Sequence, residues 1–168
     1  SWALSSARPV GVLLRTLDTL TWGWRNKVMP IKKTVEYNIH KFPFTVAYCD
    51  TDAGGIAYHG RYIEFAERAR INWLQGIVFP DNDIGFIIRD LSVQYKCPLH
   101  VRDELVVESS VTELRSAALL MEQKFIHGDT VCAIMKSTAV YVGSNMRPKR
   151  IPETVVERII AGNKTKER

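Results

Sequence analysis

The run YCDTDAGGIAYHGRYIEFAERARINWL, from Tyr48 to Leu74, constrains this 168-residue chain more than any other stretch. It opens as the end of an apolar alternation and passes through a tight turn carrying Asp50, Asp52, Gly54 and Gly55. From Arg61 to Gln75 it holds neither proline nor glycine, and Tyr58, Tyr62, Phe65, Ala69 and Trp73 recur at the spacing of one helical face. Arg61, Glu64, Arg68 and Gln75 fall on the other side, with Glu64 and Arg68 as an i,i+4 pair. The spacing predicts a helix of roughly 15 to 18 residues, about 25 Å long, able to lie across several strands. Ala66 and Ala69 are small enough to let it approach a sheet closely. His59 stands where the helix opens. A helix dipole favours negative charge at that end, so on the residues alone either aspartate suits a cap or a turn.

The rest of the chain reads as strands. Phe42, Phe44, Val46 and Tyr48 alternate into the aspartate turn. Leu91, Val93, Tyr95 and Cys97 alternate up to Pro98, which ends the run. Leu105, Val107, Ser109 and Val111 form a third run; Leu119, Met121, Gln123 and Phe125 form a fourth, leading to a turn at His127-Gly128-Asp129. Val131 to Val142 is apolar on both faces in parts, as suits a central strand. The short connections imply antiparallel pairing. Asp81, Asp83 and Gly85 imitate a calcium loop, but the glycine is one position early and Ser92 stands where the bidentate glutamate belongs, so ordinary turn chemistry is expected. Pro152 suits the first turn of a short helix running through Ile160. A sheet with one apolar face needs a cover, and only the helix opened by the aspartate turn is long enough. The expected architecture is α+β: one long central helix wrapped by a curved antiparallel sheet of about five strands. Its open edges favour a homodimer.

Composition narrows the function only modestly. Hydrophobic content of 46% and charged content of 24% are those of an ordinary globular domain, and no stretch approaches a membrane span. Cys49, Cys97 and Cys132 are odd in number, scattered and without C-x-x-C spacing, which argues against a disulfide framework or a zinc site and suits a reducing, cytoplasmic compartment. Residues 1–33 form a basic extension in which Arg8, Arg15, Arg25, Lys27, Lys32 and Lys33 face the single acid Asp18. Its apolar residues from Val10 to Trp24 have a partly helical period. A membrane-surface or targeting helix is one reading; an appended helix on its own domain or a partner, or non-native sequence ahead of a start at Met29, is favoured. The expected division is this extension, a domain over 34–160, and a charged tail over 161–168.

The order of elements, and above all DTDAGGIAYHGRYIEFAERAR, resembles the hot-dog-fold acyl-CoA thioesterases of the 4-hydroxybenzoyl-CoA thioesterase family, and among them the YbgC-type enzymes. The resemblance covers about residues 36 to 160, with looser agreement at Cys97-Pro98-Leu99, Asp103-Glu104-Leu105 and Arg147-Pro148. It implies hydrolysis of an acyl-CoA, with the coenzyme A thioester as substrate and no cofactor, by a dimer or a homotetramer built as a dimer of dimers. It also implies that Asp52 is the catalytic carboxylate and that the backbone N–H of His59 polarises the thioester carbonyl. Gly60-Arg61 departs from the family, which usually carries a small residue and asparagine there, so Arg61 bears on the choice of acyl group.

The residues support such chemistry independently. Thioester hydrolysis passes through an oxyanion, and a helix N-terminus offers unpaired N–H donors. Gly54 and Gly55 let backbone approach a ligand, and Tyr58 flanks the same turn. A carboxylate facing the carbonyl can attack it, giving a mixed anhydride, or activate water. Asp52 takes that role and Asp50 is read as a turn residue. The side chain of His59 has either a direct role or none beyond its backbone. The net charge of +5 has a use if Arg89, Lys96, Arg147, Lys149 and Arg150 meet the phosphates of coenzyme A at a subunit boundary. No metal site and no nucleic-acid partner are expected. A non-catalytic module binding acyl-CoA or acyl-carrier protein on the same scaffold is the alternative.

Overall fold

The computed structural model describes residues 39–161. The extension expected over 1–33, with its partly helical period, lies outside the described residues, as does the tail beyond 161. Among the described residues five strands form one antiparallel sheet in the order β1-β3-β4-β5-β2. They are β1 (His40–Thr45), β2 (Gly85–Tyr95), β3 (Glu104–Leu114), β4 (Ala118–His127) and β5 (Thr130–Val142). The helix α1 (Arg61–Trp73) enters between β1 and β2, and α2 (Glu153–Ala161) closes the described chain.

Alternation along β3 and β4 presents Leu105, Val107, Ser109 and Val111, and Leu119, Met121, Gln123 and Phe125, to α1, and all eight are buried. From the helix, Tyr62, Phe65, Ala66, Ala69 and Trp73 are buried in return. Ala66 and Ala69 are wholly inaccessible, which is what brings the helix axis close to the sheet. A fully buried polar latch crosses this layer: Gln123 Nε2 donates to the Ala66 carbonyl at 3.0 Å and to Ser109 Oγ at 2.9 Å. Burying Phe65 or Phe125 contributes on the order of 2–3 kcal/mol each. A second apolar cluster, around Trp73, Tyr141, Ile151, Val155 and Ile159, packs α2 against the far end of the sheet.

Several boundaries differ from expectation. The helix is 13 residues, about 20 Å, because Tyr58 to Gly60 form a turn ahead of it and Gly76 ends it with φ of 82°. Tyr48 is not part of β1; it opens a 3-10 turn with Cys49 and Asp50, and the residue is 85% exposed. β2 begins at Gly85, because Arg89 is an extra residue in a bulge between Ile88 and Asp90 that breaks the alternation. The cysteine reading is also corrected: Cys97 and Cys132, 35 residues apart, form a disulfide, and Cys49 alone is free. Spacing along the chain does not show which residues adjacent strands set side by side.

Candidate active site

The aspartate turn is a small hairpin. Asp52 N–H donates to the Ile56 carbonyl, Gly55 N–H to the Asp52 carbonyl, and Thr51 pairs with Ala57. Gly55 has φ of 75°, a left-handed conformation that glycine adopts without a Cβ penalty. The hairpin is fastened to the loop after β2, since Ala57 N–H donates to the Leu99 carbonyl at 2.8 Å and Ile56 bridges His100.

The two aspartates are used differently. Asp50 Oδ2 accepts from Ala47 N–H at 2.9 Å, its carbonyl accepts from Tyr58 N–H, and Arg61 Nε lies 3.5 Å from its Oδ1. Asp52 Oδ1 accepts from Gly54 N–H at 2.8 Å, an Asx-type turn, while its second oxygen has no partner among the described residues. Arg61 straps the region together: it donates to Glu64, to the Cys49 carbonyl at 3.1 Å, and pairs with Asp50. The hydrogen bond to Glu64, then that carboxylate's charge, holds its guanidinium pKa above the ordinary value.

At the mouth of α1, Arg61 N–H donates to the Tyr58 carbonyl, so His59 and Gly60 are the central residues of a turn. Gly60 has φ of −66° and ψ of −24°, which fits a type I rather than a type II turn. The N–H groups of His59 and Gly60 have no acceptor among the described residues. Gly60 leaves room for a ring: a Cβ there would lie 2.8 Å from the Tyr58 ring, which would have to shift and which itself packs 4.2 Å from the His59 ring. Tyr95, at the end of β2, donates its hydroxyl to the His59 carbonyl at 2.8 Å and packs edge-on against Tyr62. Burial raises the pKa of both phenols, so both stay protonated at neutral pH.

The structure therefore gathers Asp52, Gly54, Gly55, Tyr58, His59 and Arg61 at one place, with exposed Lys96 one residue beyond Tyr95. It does not bring Arg89, Arg147, Lys149 or Arg150 there within one chain. Gly85 pairs with Val142 and Tyr95 with Ala133, and Val142 also bridges Pro148. The basic segment from Arg147 to Arg150 thus lies about 30 Å along the strands from the aspartate turn. Arg89 projects from the bulge and pairs with Asp90 at 2.6 Å. Lys149 is engaged by Asp81 and Asp83, both at 2.9 Å, at the positions that imitate a calcium loop. No group of three or more His, Cys, Asp or Glu side chains among the described residues is placed to hold a metal ion. Tyr95 and Leu99 are the site residues that sequence reasoning missed. The only signal for Tyr95 was an aromatic hydroxyl on the helix-facing side of a strand end.

A helix enclosed by an antiparallel sheet, with a carboxylate turn at its open N-terminus, defines the hot-dog class of thioesterases. The chain belongs to the thioesterase-like superfamily, whose family model matches residues 46–159. The acyl-CoA thioesterase YbgC of Haemophilus influenzae is 34% identical to it over 126 residues, covering 70% of this chain and 92% of that protein. Among solved structures, a probable thioesterase from Bartonella henselae is 29% identical with a TM-score of 0.61, covering 68% of this chain and 98% of its own. A thioesterase from Thermus thermophilus, solved with coenzyme A and zinc, is 26% identical with a TM-score of 0.65, covering 72% and 91%.

Proposed function

We propose that this chain hydrolyses an acyl-CoA with a short-chain or aromatic acyl group, giving the free acid and coenzyme A, with no cofactor. One observation carries the assignment of roles: Asp52 keeps one carboxylate oxygen unpaired in the hairpin that leads into α1, and at the mouth of that helix the His59 N–H is also unpaired among the described residues. The carbonyl oxygen of the thioester accepts from the His59 N–H, and negative charge developing there is met by a fixed donor. Asp52 either attacks the carbonyl carbon, expelling the coenzyme A thiolate and leaving a mixed anhydride for water to cleave, or takes a proton from attacking water. The half-exposed Tyr58 and Tyr95 beside the turn suit a flat acyl group. The similarity to curated YbgC acyl-CoA thioesterases supports the reaction class.

A homo-oligomer, dimer or dimer of dimers, is part of this proposal. Among the described residues β1 and β2 are the two open edges, and β2 is an 11-residue edge with Leu91 and Tyr95 half exposed. Among the described residues no helix is long and apolar enough to cross a membrane. The expected cytoplasmic location loses its cysteine support, because Cys97 and Cys132 are paired.

An acyl-CoA panel read by free thiol release tests the reaction. Asp52→Asn should lower kcat by at least about 10³-fold, as loss of a nucleophile or base does, with an unchanged circular dichroism spectrum. Full activity in that variant sinks the role of Asp52. Binding of acyl-CoA or acyl-carrier protein without turnover by the native chain selects the non-catalytic alternative.

A further inference from the structure

The carbonyl of His59 has an unusual partner. In a regular helix the N–H four residues on, that of Ile63, would be its donor. Ile63 N–H instead donates to the Gly60 carbonyl at 3.1 Å, and Arg61 N–H goes to the Tyr58 carbonyl. The His59 carbonyl receives the Tyr95 hydroxyl, at 2.8 Å, from a strand 36 residues further along. That carbonyl belongs to the same peptide plane as the Gly60 N–H. No peptide bond among the described residues is cis, so fixing the C=O on one side fixes the N–H on the other. The type I geometry of the turn sets the His59 and Gly60 N–H groups facing the same way, out of the helix mouth.

Resting on the hydrolase reading above, we propose that Tyr95 is a positioning residue for the oxyanion: its hydroxyl clamps the His59–Gly60 peptide plane so that the Gly60 N–H serves as a second donor beside that of His59. The phenol does not touch the thioester. It acts through the peptide, both by orientation and because a hydrogen bond at the carbonyl polarises the N–H on the other side of the plane. Its own ring is held by Tyr62, with centroids 5.1 Å apart, and Tyr62 in turn by Phe125 in the core. The clamp therefore runs from the sheet through one hydroxyl to the reacting oxygen. The other polar groups near the Tyr95 phenol are the Tyr58 and Tyr62 hydroxyls, with Lys96 next along the chain.

Two variants of the full chain test this. Tyr95→Phe keeps the ring and its packing and removes only the donor. It should lower kcat about tenfold or more, short of the 10²–10³ that deleting an oxyanion donor outright costs, with KM changed less than about twofold and an unchanged thermal midpoint. Replacing Tyr95 with 3,5-difluorotyrosine keeps both ring and hydroxyl but brings phenol ionisation near neutral pH. Its kcat should then fall as pH rises through that ionisation, since a phenolate cannot donate, while the native protein shows no such limb. The positioning role is overturned if the native chain hydrolyses acyl-CoA and either Tyr95→Phe retains full kcat or the difluorotyrosine protein shows the native pH profile. A native chain that hydrolyses no acyl-CoA overturns the hydrolase reading itself, and this inference with it.

Discussion

At the scale of single residues, the aspartate turn separates two carboxylates that the sequence leaves alike. Both stand within eleven residues of α1 and both suit a cap. Only the folded turn shows Asp50 enclosed by Ala47 N–H and Arg61, and Asp52 half used. The half that is used depends on Gly54. A Cβ at that position would lie 3.1 Å from Asp52 Oδ1, tighter than ordinary contact, so the carboxylate has to shift by a few tenths of an ångström against the Gly54 N–H that it accepts from. Gly54→Ala should therefore lower kcat by about tenfold or more, the scale on which misplaced catalytic groups act. The thermal midpoint should move little, because the turn is exposed and Gly54 is not in the left-handed region. Native kinetics in Gly54→Ala would show that the orientation of Asp52 is not set by this turn.

At the scale of elements, the loop before β2 is tied to the end of β5 by a charged clamp. Tyr141 donates to Asp83 Oδ2 at 2.8 Å, and Lys149 reaches Asp81 and Asp83. The Lys149 hydrogen bond, then that from Tyr141, holds the Asp83 carboxyl below its ordinary pKa. Burial and the bond to Asp83 push the Tyr141 phenol up to about 12. A depressed carboxyl stabilises the fold above its unfolded pKa, near 3.9, and that contribution is lost as pH falls through the folded value. A raised phenol stabilises below its unfolded pKa, near 10, and is lost as pH climbs from about 10 to about 12. Asp83→Asn should flatten the acid limb of the thermal midpoint against pH, and Tyr141→Phe the alkaline limb. Curves parallel to the native one would remove the clamp from the account of stability. The clamp also shows where legibility ends. The helix face, the strand alternations and the proline that opens the last helix are local signals, and they describe the elements well. Asp83 with Lys149, Cys97 with Cys132, and the Tyr95 hydroxyl on His59 join residues 35 to 66 positions apart. Alternation tells which face a residue takes but not its neighbour on the next strand, and the bulge at Arg89 hides even the face.

At the scale of the whole molecule, a coenzyme A thioester poses a problem of reach. The turn that holds Asp52 lies at the Tyr95 end of β2, and the basic segment with Arg147 and Arg150 lies at the Gly85 end. A second copy resolves it. If two β2 edges pair antiparallel, the Gly85 end of one copy lies against the Tyr95 end of the other. Each aspartate turn then has the other copy's Arg147 and Arg150 beside it, free to meet diphosphate oxygens. Such a site would be built from two chains, and that is testable without knowing the acyl group. Asp52→Asn alone should be inactive, and the double variant Arg147→Glu with Arg150→Glu should show a strongly raised KM. In a hybrid of the two, one site combines both defects and the other combines an intact Asp52 with intact arginines. Random reassociation of an equal mixture makes about half the dimers hybrid, so activity should return to about a quarter of native. If mixing restores nothing while size-exclusion chromatography shows that hybrids form, the arginines do not serve the neighbouring copy's site.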